Sequence, residues 1–143
     1  MYIDQFQKRV RIGAATMNIA EKSVRHIILL ARAYDAKEQI EDLDRSVDIG
    51  SEDELVVGDH DRSRDELTAW MNGRDEEALA ELVALYWIGR GDFEGRDFVA
   101  SVREARARRS VPTAEYLLGA PLMGDYLEMG LDAVINAGVY DDA

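Results

Sequence analysis

The sequence of 143 residues contains no cysteine and only two histidines, His26 and His60. Without cysteine the chain has no disulfide bond, no thiolate metal site and no thiol nucleophile. Two histidines are too few for the multi-histidine arrangement of a typical zinc site. His26 falls within a predicted helix that offers no partner for catalysis, so we expect a structural role for it. The composition therefore predicts no metal, no cofactor and no catalytic residue.

Proline and long apolar segments are also scarce. The two prolines, Pro112 and Pro121, leave most of the chain able to form helix. No apolar run approaches the roughly 18 residues that a membrane span needs. Residues 1–11 contain four charged side chains, where a secretory signal would have its apolar core. We therefore expect a cytoplasmic protein without a membrane partner.

Basic charge is in short supply: 17 lysines and arginines stand against 29 acidic residues, for a net charge of −12. Nucleic-acid binding depends on clustered lysine and arginine, so a surface this acidic excludes nucleic acid as an expected partner. It would also repel anionic membranes. The same charge favours solubility and basic protein partners.

Apolar residues recur every three or four positions over much of the chain, which is the period of an α-helix. A first helix is predicted to follow Asn18 as its N-cap and to end near residue 36. A short helix is predicted after Ser63, whose side chain would form a capping box with Glu66. The pattern thus predicts an all-α protein, a small bundle of about five helices.

The most apolar segment, residues 76–88, predicts the central helix of this bundle, because it is apolar around most of its circumference. Asp75 is its expected N-cap and Gly89 its expected left-handed end. A further helix has a thin apolar face, formed by Phe98, Val102 and Ala105, and a basic outer face. Pro121 is expected at the first position of the last helix, which has a broad apolar face.

Two segments do not fit this helical pattern. Residues 1–16 are predicted to be an N-terminal arm on a single helical domain of residues 17–143. Within that domain, residues 41–62 have no apolar period and contain two glycines. Between Asp35 and Glu66 there are 13 acidic and four basic residues, a net −9. These features predict a long acidic loop at residues 41–62.

Two stretches together resemble a bacterial domain family of unknown function. Residues 81–93, ELVALYWIGRGDF, are similar to its WIGRGDF-type motif. Residues 116–131, YLLGAPLMGDYLEMGL, are similar to its YLLGxPLLxDYLExGL segment, with Gly124 where the family has alanine. The resemblance covers residues 67–138 and is weaker around residues 24–35. It implies a helical fold and no defined activity, and it does not extend to the arm or the acidic loop.

The best candidate site is the corner at residues 87–93, at the end of the first motif. Arg90 stands between two glycines, so its charged side chain lies on a tight turn between helices. We expect Asp92 to cap the next helix and Arg90 to pair with a carboxylate such as Asp125. An arginine there, beside Trp87 and Tyr116, could instead hold an anion with two hydrogen bonds. The candidate binding residues are therefore Trp87, Arg90, Asp92, Tyr116 and Asp125.

Two functions remain open at the level of the sequence. The lack of catalytic motifs and the uneven charge favour a non-enzymatic protein-interaction or regulatory module. The alternative is a small-ligand-binding protein or enzyme with an anion-binding pocket around Arg90. A homodimer is also predicted, because residues 96–109 carry five arginines against two acids, a net +3, on an otherwise acidic chain.

Overall fold

A computed structural model describes the backbone of residues 17–46, 51–109 and 111–138, with side chains except those of residues 38–46 and 51–61. The predicted N-terminal arm, residues 1–16, lies outside the described residues. The described chain forms six α-helices and one 3₁₀ turn, Gly95–Asp97, after the third helix. The helices are α1 (Glu21–Ser46), α2 (Ser51–Asn72), α3 (Glu76–Arg90), α4 (Phe98–Ala107), α5 (Thr113–Leu118) and α6 (Met123–Asn136).

The prediction of a small all-α bundle is confirmed, since the described residues contain helices and turns but no strand. The two longest helices, α1 and α2, pack against each other, and α1 also packs against α6. The Lys37 Nζ atom of α1 donates to the Ser63 hydroxyl of α2 at 3.1 Å. Lys37 precedes residue 50 by as many positions as Ser63 follows it, so α1 and α2 form a hairpin. In the described part of the chain, no helix has both the length and the apolar character of a membrane span.

The third helix, α3, is the centre of the core, as predicted. Every residue from Glu81 to Ile88 is buried, and α3 packs against α4, α5 and most extensively α6. Asp75 is its N-cap, as expected, and accepts a hydrogen bond from the Ala78 amide at 2.9 Å. Glu76 in the first turn and Arg90 in the last complement the helix dipole. These local signals agree with one another, and they explain why the sequence identified this helix.

The predicted end of α3 at Gly89 is wrong, because the helix continues to Arg90 and the left-handed cap is Gly91, with φ of 101°. Gly89 has a different purpose, which is close approach of two helices. A Cβ atom at Gly89 would lie 1.8 Å from the Tyr126 carbonyl oxygen of α6. Reciprocally, a Cβ at Gly130 of α6 would lie 1.9 Å from the Leu85 carbonyl oxygen of α3. The two helices therefore touch backbone to backbone.

The prediction of an acidic loop at residues 41–62 is also wrong. Residues 41–46 belong to α1 and residues 51–62 belong to α2. Helix formation is cooperative, so a helix nucleated on strong apolar positions extends into neighbours that have none. A glycine inside such an extension costs only about 1 kcal/mol. The apolar faces around residues 24–34 and 67–71 supply those nuclei. The absence of an apolar period between them therefore does not indicate a loop.

The predicted helix boundaries near these nuclei need correction for the same reason. The first helix begins at Glu21 and extends ten residues beyond the expected end at 36, so Asn18 is not its N-cap. Ser63 does not cap a short helix, because it lies inside α2, where it is buried and accepts the Lys37 hydrogen bond. A local capping motif was thus overridden by propagation of the surrounding helix.

The last helix, α6, begins at Met123 and not at Pro121. Leu122 precedes it with φ of 53°, a left-handed conformation that is costly for a leucine. The helix start is capped from a distant part of the chain. The Asp35 carboxylate of α1 accepts a hydrogen bond from the Gly124 amide at 3.0 Å. A Cβ at Gly124 would lie 2.9 Å from the Arg32 amide nitrogen, so α1 reaches the α6 terminus only because position 124 is glycine.

We expect Asp35→Ala to lower the free energy of unfolding by about 1–2 kcal/mol, because the α6 amides lose a charged acceptor at the positive end of the helix dipole. Asp35→Asn is the matched control, since its side-chain oxygen can still accept from Gly124. Urea denaturation of the three proteins measures the difference. An alanine variant as stable as the asparagine variant would show that the cap contributes nothing.

Candidate functional site

A cavity of about 500 Å³ opens between α3, α4 and α5. Its volume falls within the range of roughly 300–1,000 Å³ that is usual for small-molecule pockets. The lining combines apolar and aromatic side chains with three arginines and two acids. One bound molecule could therefore form both apolar and charged contacts. The lining residues are Val83, Trp87, Arg90, Asp92, Phe93, Glu104, Ala105, Arg108, Arg109, Val111, Thr113 and Tyr116.

Aromatic side chains form one side of the cavity. Trp87 and Phe93 stack, with ring centroids 6.0 Å apart and an interplanar angle of 24°. The Trp87 indole N–H donates to the Tyr116 hydroxyl at 2.9 Å, which fixes both side chains. Because the Tyr116 oxygen accepts this bond, its own hydrogen can donate to a molecule in the cavity. The wall is therefore pre-organised and carries one polar group.

Arg90 lies at the edge of the cavity and is held by Asp92. Its Nε and Nη2 atoms donate to the same Asp92 oxygen at 2.8 and 2.5 Å. This hydrogen bond raises the pKa of Arg90 above its ordinary value. Its guanidinium also lies 5.3 Å from the centroid of the Tyr86 ring. Asp92 thus orients Arg90. The prediction that Asp92 caps the next helix is wrong.

The predicted pairing of Arg90 with Asp125 is wrong. Asp125 lies on α6 and pairs with Arg32 of α1, with its Oδ1 atom 3.2 Å from Nε. It does not line the cavity. Four of the five candidate binding residues, Trp87, Arg90, Asp92 and Tyr116, are therefore brought together, and the fifth lies elsewhere.

Two arginines at the end of α4 complete the cavity, and sequence reasoning did not include them in the site. Arg108 Nε donates to Glu104 at 2.5 Å, one helical turn back. Arg109 Nη1 donates to Glu76 at the start of α3, at 3.0 Å. The sequence feature that could have indicated Arg108 and Arg109 was the basic outer face of residues 96–109. That signal could not separate them from Arg106, which pairs with Glu77 and does not line the cavity.

Each of these cavity arginines is anchored through only part of its guanidinium. An arginine has five N–H donors, and the bond from Arg108 to Glu104 uses the Nε donor. The two Nη groups of Arg108 can therefore form a bidentate contact with a carboxylate, sulfonate or phosphate. With three arginines and two acids, the lining carries a net charge of +1 on a chain of net charge −12.

A buried ionisable group, Glu81, lies on α3 outside the cavity lining. Glu81 is 3% exposed, and its carboxylate accepts hydrogen bonds from the Asn18 amide at 2.8 and 3.0 Å and from the Ile19 amide at 3.0 Å. Burial raises the pKa of Glu81 to about 7, against the opposing effect of these hydrogen bonds. This buried acid holds the chain just before α1, and nothing in the sequence had singled it out.

The described residues contain no group of three or more side chains suited to holding a metal ion. His26 is exposed on α1 and takes no part in the cavity. The side chain of His60 lies outside the described residues.

Comparison with family models matches residues 64–135 to DUF3775, a family described as proteins of unknown function. No curated protein and no solved structure matched the chain. The matched range runs from within α2 to the last turn of α6, contains both motif segments and includes every residue that lines the cavity. The expectation of a domain of unknown function is confirmed. The match covers half of the chain, and the protein therefore belongs to the DUF3775 family.

Proposed function

We propose that this protein is a non-enzymatic binding module, and that its cavity takes a small organic anion with a planar apolar part. The observation that carries the proposal is the joint presence of a fixed aromatic wall and three arginines in one concave site. Small-ligand sites have this character, since apolar area supplies affinity and a few polar groups fix orientation. The planar part would lie against Trp87 and Phe93, and the anionic group would meet Arg108 or Arg109.

The cavity supports a small ligand better than the protein partner that the sequence favoured. A stable protein interface needs about 800 Å² on each partner, spread over 20–30 residues. This site is concave and is lined by twelve residues from one corner of the fold. The proposal concerns binding alone, because the described lining has no histidine or cysteine and no nucleophile held by a base.

Arginine pairing within the chain also fits a ligand site. Asp92 and Glu104 hold Arg90 and Arg108 in place before a ligand arrives, which lowers the entropy lost on binding. The same acids limit the net charge of the cavity to +1. They disfavour a highly charged ligand and favour one whose affinity comes partly from the aromatic wall.

We expect anilinonaphthalene sulfonate, a fluorescent aromatic anion, to bind the folded protein in the cavity. Arg108→Gln should raise its Kd by at least about tenfold, because a charged hydrogen bond contributes roughly 1.5–3 kcal/mol and each 1.4 kcal/mol is a factor of ten. Trp87→Phe should weaken binding as well, by reducing the stacking surface. Fluorescence titration measures both effects, and circular dichroism checks that each variant is folded.

Matched controls exist elsewhere in the chain. Arg103 is exposed on α4 and does not line the cavity, so Arg103→Gln should leave the Kd unchanged. Trp70, on α2, is the matching tryptophan, and Trp70→Phe should likewise have no effect. The uncharged parent dye, anilinonaphthalene, should bind more weakly than the sulfonate. Equal binding to all four variants, or none to the native protein, would contradict the proposal.

A further inference from the structure

One side of α1 presents a row of exposed residues, two of which form ion pairs with α6. The positions are spaced alternately three and four apart, as in the contact seam of paired helices. The row holds three bases and no acid, and at its centre is Leu29, which is 67% exposed. We call this the basic row, and it consists of Lys22, Arg25, Leu29, Arg32 and Ala36.

The neighbouring helix, α6, presents a row of opposite charge with the same spacing. It holds two acids and no base, and at its centre is Met129, which is 55% exposed. We call this the acidic row, and it consists of Asp125, Met129, Asp132 and Asn136 on α6, together with Leu122, which immediately precedes the helix. The buried apolar face of α6 is on the other side of the helix, where Leu127, Leu131 and Val134 reach the core.

The two rows lie side by side and antiparallel. Arg25 Nη2 is 3.6 Å from Asp132 Oδ1, and Arg32 Nε is 3.2 Å from Asp125 Oδ1. Leu29 and Met129 lie between these two ion pairs, so they stand at the same level along the helices. The surface therefore has a basic half, an acidic half and an apolar centre.

We propose that a second copy of this chain docks on this surface. A two-fold axis that runs between α1 and α6, parallel to both, places the basic row of each copy on the acidic row of the other. The four apolar side chains, Leu29 and Met129 from each copy, then meet near the axis. A two-fold axis perpendicular to the helices would instead place like charges together. The charge pattern thus fits a symmetric homodimer with one orientation.

The contributions of charge and apolar contact differ. Exposed ion pairs contribute little free energy, and salt screens them beyond about 8 Å. Leu29 and Met129 therefore supply most of the affinity, and the charged rows fix the orientation. An apolar centre this small predicts a weak dimer, with a Kd on the order of 10 µM.

The test uses two variants of the full chain in which both rows have the same sign. Arg25→Glu with Arg32→Glu makes both rows acidic, and Asp125→Lys with Asp132→Lys makes both rows basic. In sedimentation equilibrium at about 0.15 M salt, each variant alone should have the chain mass of 16.1 kDa. The wild type at about 100 µM, and an equimolar mixture of the two variants, should both approach twice that mass.

Further variants separate this surface from other contacts. Leu29→Ser, at a position too exposed to be needed for folding, should raise the dimer Kd about tenfold or more. Arg103→Glu, on α4 and outside both rows, should leave it unchanged. Circular dichroism confirms the fold of every variant. The proposal is overturned by a wild type that stays at 16.1 kDa, by same-sign variants that still dimerise alone, or by folded variants whose mixture stays monomeric.

Discussion

Gly130→Ala is expected to lower the free energy of unfolding by about 3 kcal/mol, the upper end of the usual cost of overpacking, although alanine is the better helix former by roughly 1 kcal/mol. The new Cβ would lie 1.9 Å from the Leu85 carbonyl oxygen and 2.7 Å from its carbonyl carbon. Both atoms belong to the backbone of the buried helix α3, so no side-chain rotation relieves the contact. The helices α3 and α6 must move apart, and the contact they lose is the most extensive in the fold.

Thermal denaturation followed by circular dichroism measures this effect, which corresponds to roughly 10 °C in Tm. Gly119→Ala is the matched control, because Gly119 has φ of −86° and its added Cβ would meet only the Glu115 and Tyr116 carbonyls, at 3.6 and 3.8 Å. That variant should be neutral. A Gly130→Ala protein as stable as the wild type would mean that α3 and α6 do not cross in backbone contact.

The same pair of helices shows what a sequence can and cannot predict. The position of α3 followed from Asp75, the apolar residues and the glycines near its end, all of which act locally. The sequence could not assign the separate tasks of Gly89 and Gly91. One glycine admits a neighbouring helix and the other adopts a left-handed turn, and only the position of α6 distinguishes them. In the sequence, a glycine that permits close packing of two helices cannot be distinguished from a glycine that ends a helix.

The candidate site divides along similar lines. Trp87, Arg90 and Asp92 lie near one another in sequence at the end of α3, so their proximity was predictable. Tyr116 was included through the family resemblance, and the cavity does bring it to Trp87. Asp125 was assigned by charge alone. Arg32, 93 residues away in sequence, holds Asp125 on the far side of α6, and no local pattern reports a pairing over that separation.

Glu81 gives the second large expected effect, which depends on pH. In the unfolded chain its pKa is the ordinary 4.5, and in the fold burial raises it to about 7. The folded state therefore binds the proton more tightly than the unfolded state does. Protonated Glu81 contributes its full stability below pH 4.5, and this contribution is lost as the pH rises through about 7. Each unit of pKa difference corresponds to about 1.4 kcal/mol, so the total loss is roughly 3 kcal/mol.

The other carboxylates of this acidic chain also titrate, so the prediction is made for a difference between two proteins. Glu81→Gln has nearly the same shape, keeps an oxygen that accepts from Asn18 and Ile19, and does not ionise. We expect it to be about as stable as the wild type near pH 4.5 and more stable by roughly 3 kcal/mol near pH 8. Urea denaturation of both proteins at several pH values measures the difference in the free energy of unfolding. The other acidic residues are the same in both proteins, so their contributions cancel in this difference.

The opposite result has a distinct physical meaning. Three amide contacts converge on the two Glu81 oxygens, and such contacts favour the ionised form. Burial favours the protonated form, and so do the negative charges of Glu77 and Asp75. If the hydrogen bonds outweighed burial, the folded pKa would lie below 4.5. The wild type would then gain stability relative to Glu81→Gln as the pH rises, and the sign of that slope decides which of the two effects controls the buried acid.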